Sequence, residues 1–372
     1  MGKVNSIIKK FYTTSFVFLL AATYSNMNAQ VLKDTATFKM MQKGVDYIYN
    51  LQFDQAREIF RKVADIYPQH PIIYVYKGLI TYWENYPLIP ASPERASFEK
   101  EMQYAMELCE KKPDHEKDPE YLLSNIGARG LLLLYYADND LTGDVIKLAS
   151  STYQYVKQSF KHTQTYADFY FITGLYNYYR EAYPDAHPVY KPVAMLFPKG
   201  DKIRGLKEMQ IASKNAIVLK AESFSFLAGI YISFENNFQQ AYQYSKALHE
   251  LYPRNIQYTA VYIKNLLLVK RYAEAENLIR KSRDQGKNQY FMAQLSILNG
   301  IVQEKKYHNL TQANQEYSRG IKDIEAYGTF GNEFAAYGYF GLSRISQAKH
   351  QKKSFRKKAM ELAVFENVNF DR

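Results

Sequence analysis

The sequence predicts an all-α fold, an α-solenoid of stacked antiparallel helix pairs. Three observations lead there. Gly44 and Gly78 stand 34 residues apart, as do Ala241 and Ala275, and each lies in a segment that reads as helix, turn, helix. No stretch alternates apolar and polar residues over a useful strand length, so strand content near zero is expected. Prolines recur where a second helix should stop, at Pro68 and Pro253, since proline brings no N–H to continue the helical ladder.

The units follow in order. In "GVDYIYNLQFDQAREIFRKVADIYP", Gly44 and Tyr47 belong to a first helix and Ala56 and Phe60 to a second, closed by Pro68. Gly78, with Tyr74, opens the second unit, followed by an insertion near 84–92. Ser92-Pro93-Glu94 and Asp118-Pro119-Glu120 each place a capping residue before a proline at the first helical position. "EYLLSNIGARGLLLLYYA" and "DVIKLASSTYQYVKQSF" read as a degenerate pair with Gly127 or Gly130 at the crossing. A first helix around Gly174 is separated from a partner helix, capped by Asp201 and carrying Gly205, by a proline-rich insertion near 183–200. Next come a unit with Gly229, Ala241 and Pro253 and one with Ala275 and Ile279. Two poorer copies lie around Gly300 with Ala313 and Tyr317, and around Gly341 with Ala359.

Residues 37–364 therefore read as one array of about seven or eight pairs, with a linker at 30–36 and a tail at 365–372. The alternative, unrelated helical bundle elements, leaves the shared period and register without a cause.

The order small residue, aromatic, Ala, aromatic, Pro in Gly44–Pro68 resembles the tetratricopeptide repeat (TPR) family, in an exported bacterial form. "LFPKGDKIRGL", Leu196–Leu206, is also similar to a segment of the tetratricopeptide-39 and inclusion-body-clearance family, which implies a shared helical layout rather than a shared function.

The N-terminus reads as an export signal. Lys3, Lys9 and Lys10 precede an apolar stretch around Phe16–Ala22 that is too short to span a bilayer, then a polar patch ending at Ala29. Cleavage after Ala29 and a periplasmic location are expected; no cysteine stands at that edge to carry a lipid. An uncleaved N-terminal anchor is the alternative. Loss of residues 1–29 removes three lysines and no acid, so the charge falls from +11 to +8, too modest to indicate nucleic acid. The single cysteine, Cys109, falls in a helical phrase and reads as a packed thiol.

In the TPR family the first helix of each pair lines the concave face. Carried over position by position, that resemblance puts Phe38, Met41 and Tyr49 there, with Val75, Leu79, Tyr82 and Trp83 from the second unit. Asp168, Phe171, Tyr178 and Tyr179 follow from the Gly174 unit, and Phe226, Ile230 and Phe234 from the Gly229 unit. These positions are mostly apolar, which argues against a carboxylate clamp built on Lys, Arg and Asn. They suit an amphipathic helix or an apolar segment of another, envelope-associated protein. A self-filled groove, its aromatics spent as core, stands beside that reading.

The stretch Lys349–Lys358 bears six Lys/Arg and no acid. Lys352, Lys353, Arg356, Lys357 and Lys358 are placed either to touch an anionic envelope surface or to solvate a terminal capping helix. The seven histidines show no metal spacing and read as surface or turn residues. No nucleophile elbow, phosphate loop, dinucleotide glycine pattern or C-x-x-C is present, so no catalytic residue, metal or cofactor is expected. The preferred reading is a non-catalytic scaffold that binds a protein or peptide segment. The alternatives are a binding protein for a small apolar or carbohydrate ligand, and a hydrolase on a helical toroid.

Overall fold

A computed structural model describes residues 31–283, 287–363 and 367–371. The expected signal segment and its cleavage edge lie outside the described residues.

Among the described residues there is no strand, and sixteen helices of 12 residues or more form eight consecutive pairs. The first two pairs are α1 (Thr35–Tyr49) with α2 (Phe53–Ile66), and α3 (Ile72–Glu84) with α4 (Arg95–Glu110). Then come α5 (Pro119–Asp138) with α6 (Thr142–Ser159), and α7 (Asp168–Ala186) with α8 (Lys202–Asn215). They are followed by α9 (Lys220–Ser233) with α10 (Phe238–Leu251), and α11 (Ile256–Leu268) with α12 (Tyr272–Arg283). The last are α13 (Gln289–Lys305) with α14 (Leu310–Ile324), and α15 (Asn332–Ile345) with α16 (Lys349–Leu362). Each helix packs on its neighbour in sequence, and several first helices also touch the next first helix, as in α1 on α3 and α13 on α15. This is an all-α solenoid-like array.

One local device repeats through the array. Leu51, Asp140, Asn236, Lys270 and His308 all have φ between 51° and 61°, and each stands two residues before the second helix of its pair. A left-handed residue just past a helix end lets the next N–H reach back to the last turn's free carbonyls. Accordingly the N–H groups of Gln52, Leu141 and Arg271 donate to the carbonyls of Tyr47, Tyr136 and Leu266, each at 2.8 Å. Five of the eight pairs thus share one turn, although Leu51 and Lys270 are not residue types that favour it.

Small residues set several crossings. A Cβ on Gly205 would lie 2.6 Å from the Tyr178 nitrogen and 2.7 Å from the Gly174 carbonyl oxygen, so α7 and α8 meet backbone to backbone. Gly44 lies under the Phe60 ring and Gly300 under Tyr317. The third pair differs from expectation: Gly127 faces Val75 of α3 instead of α6, and Gly130 faces open space. Gly229 also has nothing near it; the fifth pair instead buries Ala241 completely.

Several local readings need correction. Asp118 caps α5, accepting from the Glu120 N–H at 3.0 Å, but Ser92 accepts from the Ile89 N–H at 3.0 Å inside its loop, and α4 begins only at Arg95. The stretch 30–36 is not a free linker where it is described: Val31 is fully buried, the Leu32 N–H donates to the Glu120 carboxylate at 2.9 Å, and α1 begins at Thr35. His70 is a core residue, 5% exposed, with Nδ1 accepting from the Ile72 N–H and Nε2 at 3.4 Å from Glu120. Helix α7 runs through Pro184 to Ala186, because in the last turn the missing N–H costs a single bond and the His187 N–H still reaches the Tyr183 carbonyl at 2.8 Å.

The array curls back onto itself. Asn255 donates to the Tyr49 carbonyl at 3.1 Å, Asn288 to the Tyr86 carbonyl at 2.7 Å, and the Tyr252 hydroxyl to Asp46 at 3.3 Å. These bonds tie the first two pairs to elements some 200 residues later. One continuous apolar core runs through both regions and reaches Val368 and Phe370 near the C-terminus.

Candidate functional site: the inner aromatic face and the 183–203 insertion

The aromatic residues expected on the inner face gather into two clusters. In the first, Tyr49, Trp83 and Tyr258 meet with ring centroids 5.4 to 6.2 Å apart, and Tyr82 stands edge-on to Trp83 at 5.6 Å. The sequence reading missed Tyr86, Tyr252, Tyr258, Tyr290 and Phe330, which complete it. Trp83 stacks on Tyr86 at 5.2 Å, and Phe330 caps Tyr86 and Tyr290 at 5.4 and 5.5 Å. Their signal was weak: Tyr86 and Tyr252 sit in loops, and contacts across 200 residues leave no periodic trace. In the second cluster Phe226 meets Phe171 at 5.4 Å, and Phe234 meets Tyr178 and Tyr179 at 5.9 and 5.5 Å.

These rings are largely spent on one another. Tyr49, Tyr82, Phe171 and Tyr178 are buried, while Trp83, Tyr179, Phe226 and Phe234 keep partial exposure. Asp168 is almost wholly buried and accepts from the N–H groups of Ile217, Val218 and Leu219 at 3.1, 2.7 and 2.8 Å, which fixes the loop leading into α9. Burial pushes its carboxyl up despite those three bonds.

Carboxylates border the aromatic face. Burial raises Asp138 to about 7, against the hydrogen bond from the Tyr82 hydroxyl at 3.3 Å, and Glu333 adds to the rise. Burial raises Glu222 to about 8, and its Oε2 has no hydrogen-bond partner. Glu333 moves the other way: burial would raise it, but the Lys264 ammonium at 2.8 Å and the Tyr337 hydroxyl hold it below the usual range. Asp138 and Glu333 both act electrostatically on Tyr86 and Tyr290, whose rings touch at 6.1 Å. Among the described residues no group of three or more His, Cys, Asp or Glu could hold a metal, and no helix is long and apolar enough to cross a membrane. Cys109 is buried, its thiol pushed far up by desolvation and donating to the Tyr121 carbonyl at 3.5 Å.

The insertion between α7 and α8 is ordered by polar contacts and left apolar outside. Arg180 donates twice to the Phe197 carbonyl, at 3.0 and 3.2 Å, the Tyr176 hydroxyl to the Pro198 carbonyl at 2.6 Å, and the Gly200 N–H to Glu181 at 2.8 Å. Phe197 packs edge-on against Tyr153 of α6 at 5.0 Å. Asp201 caps α8 through the Arg204 N–H at 2.9 Å, as its sequence position predicts. On the outer side Val189, Met195, Leu196 and Ile203 are 70 to 80% exposed, with Val193 at 43%. Single exposed apolar residues are ordinary on a protein surface, but here five stand within fifteen residues.

The basic residues Lys352, Lys353, Arg356, Lys357 and Lys358 all lie exposed on α16, where only Ala359 is buried. Arg356 approaches Asp371 at 3.6 Å and Lys357 approaches Glu361 at 3.9 Å. No family model matches this chain, and no curated protein matches it.

Proposed function

We propose that the protein is a non-catalytic, exported TPR-like scaffold that binds a segment of another envelope-associated protein. The observation that carries this reading is the insertion: Arg180, Tyr176 and Glu181 pin it at Phe197, Pro198 and Gly200, while Val189, Val193, Met195 and Leu196 are left to solvent beside Ile203 at the start of α8. An apolar surface held in place loses little conformational entropy when a partner covers it. The aromatic face supplies the frame, and Trp83, Tyr179, Phe226 and Phe234 are rings still partly open to a partner. Contact of the α16 lysines with an anionic envelope surface is a secondary part of the proposal.

The test replaces the insertion, 187–200, with a short turn. The proposal expects unchanged helicity by circular dichroism and loss of the partners captured by mild crosslinking of the intact protein. Capture that persists without the insertion would overturn it.

A second reading, hydrolysis, draws on Asp138 and Glu333, whose acidities are pushed apart and which both act electrostatically on Tyr86 and Tyr290. It requires that Asp138→Asn abolish turnover of a chromogenic glycoside that the unaltered protein cleaves. Absence of turnover by the unaltered protein removes this reading.

A further inference from the structure

We infer that the C-terminal segment Asn367–Asp371 is a tethered stand-in for a peptide ligand. It fills a second binding site, formed by pairs five to eight and separate from the insertion. The site accepts a short segment with two apolar side chains two residues apart and an acid directly after the second.

The segment is seated as a ligand is. Val368 is 2% and Phe370 7% exposed, both within the main core, and the Phe370 ring stands edge-on to Tyr337 at 5.3 Å. The Asn367 amide donates to the Ile232 carbonyl at the end of α9 at 3.0 Å and to Asn236 at 2.5 Å. Arg344 of α15 donates to the Asn369 carbonyl and lies 3.4 Å from the Asp371 carboxylate. That guanidinium is held in place by a two-pronged bond to Glu304 at 2.8 and 2.9 Å. Hydrogen bonds from Arg344 and Tyr317 keep Glu304 charged, below its usual range, although burial opposes this. Backbone carbonyl, apolar anchors and the acid that follows them each therefore have a prepared partner on the array.

Two observations mark the segment as an imperfect occupant. Phe370 adopts φ 55°, a left-handed conformation that a bulky side chain takes only under strain. Beside the segment lies a cavity of about 270 Å³, lined by Phe238, Leu267, Leu268 and Ile301 together with Lys270, Lys305 and the segment's own Asp371. A segment with a larger apolar anchor and no backbone strain would fill that space and displace the tail.

The test titrates a fluorescein-labelled peptide, Glu-Asn-Val-Asn-Phe-Asp-Arg, into the chain lacking residues 364–372 and into the full chain. Anisotropy should report saturable binding to the shortened chain. Binding to the full chain should be weaker by about tenfold or more, because a tethered competitor acts at an effective concentration in the millimolar range. Replacing the peptide's two apolar residues by serine, or Arg344→Ala in the shortened chain, should abolish binding. No binding to a folded shortened chain, equal binding to both chains, or equal binding of a scrambled peptide overturns the inference. If the shortened chain does not fold, the full chain carrying Val368→Ser and Phe370→Ser takes its place, with the same expectations. Failure of both to fold also overturns the inference, since a displaceable tail cannot be essential to folding. Because the probe is the protein's own tail, the result does not depend on whether the insertion binds a partner.

Discussion

Asn255 and Tyr49, 206 residues apart in sequence, are joined by a hydrogen bond of 3.1 Å from the Asn255 amide to the Tyr49 carbonyl. The same Asn255 side chain caps α11 by accepting from the Tyr258 N–H at 3.1 Å, and the residue is fully buried. One side chain thus closes the array and starts a helix. The Asn255→Ala variant should lose about 2 to 3 kcal/mol, since it removes a cap and strands a buried carbonyl. Urea denaturation followed by circular dichroism measures it. A loss no larger than that of an exposed-site control would mean the closure contributes little.

Asp168 supplies a second, sharper stability test. Its carboxylate serves three consecutive backbone N–H groups, so Asp168→Ala should cost about 3 kcal/mol or more, while Asp168→Asn keeps one acceptor and should cost less. Partner capture by whatever fraction remains folded should be unchanged, which separates a role in folding from a role in binding.

Glycine substitutions should split by position. Gly205→Ala drives a methyl into the Gly174 carbonyl and the Tyr178 backbone, so a loss of about 1 to 3 kcal/mol is expected. Gly229→Ala meets open space within α9 and should gain about 0.5 to 1 kcal/mol from helix propensity. Thermal melts of the two variants should move in opposite directions.

The pH dependence follows from Asp138 and Glu222, whose folded-state acidities are weakened to about 7 and about 8. Between the unfolded carboxylate range and those values, the folded chain holds protons that the unfolded chain has released. The contribution of these two groups to stability therefore falls as pH rises through about 4 to 8 and levels off above. Asp138→Asn removes one such group, so its advantage should grow from near zero at pH 4 to about 1 to 2 kcal/mol at pH 8. An advantage that is constant with pH would contradict the raised acidity.

Much of the fold was legible because its rules are local. The stops at Pro68 and Pro253 and the caps at Asp118 and Asp201 each act within a turn or two, and each stands where the sequence places it. The shared left-handed turn was not legible, because Leu51 and Lys270 adopt it under the demand of the helix pair and against their own preference. The inner face was half legible. Tyr49, Tyr82 and Trp83 gather in one ring cluster and Tyr178, Tyr179, Phe226 and Phe234 in another, and Tyr258, which the repeat does not point to, packs against Tyr49 and Trp83. The insertion was visible as an interruption of the repeat; its apolar outer side emerged only with the contacts of Arg180 and Tyr176.

The central claim, that the insertion is a partner-binding surface, is tested most directly by placing a photo-crosslinking phenylalanine analogue at Met195 or Leu196. Probes at Ile66 and Ile146, 53 and 51% exposed and outside the insertion, serve as controls. The account predicts one discrete adduct from 195 and 196 in intact cells, absent at 66 and 146, and lost when Val189 and Val193 are changed to serine. No adduct from the insertion, or the same adducts from all four positions, would contradict it.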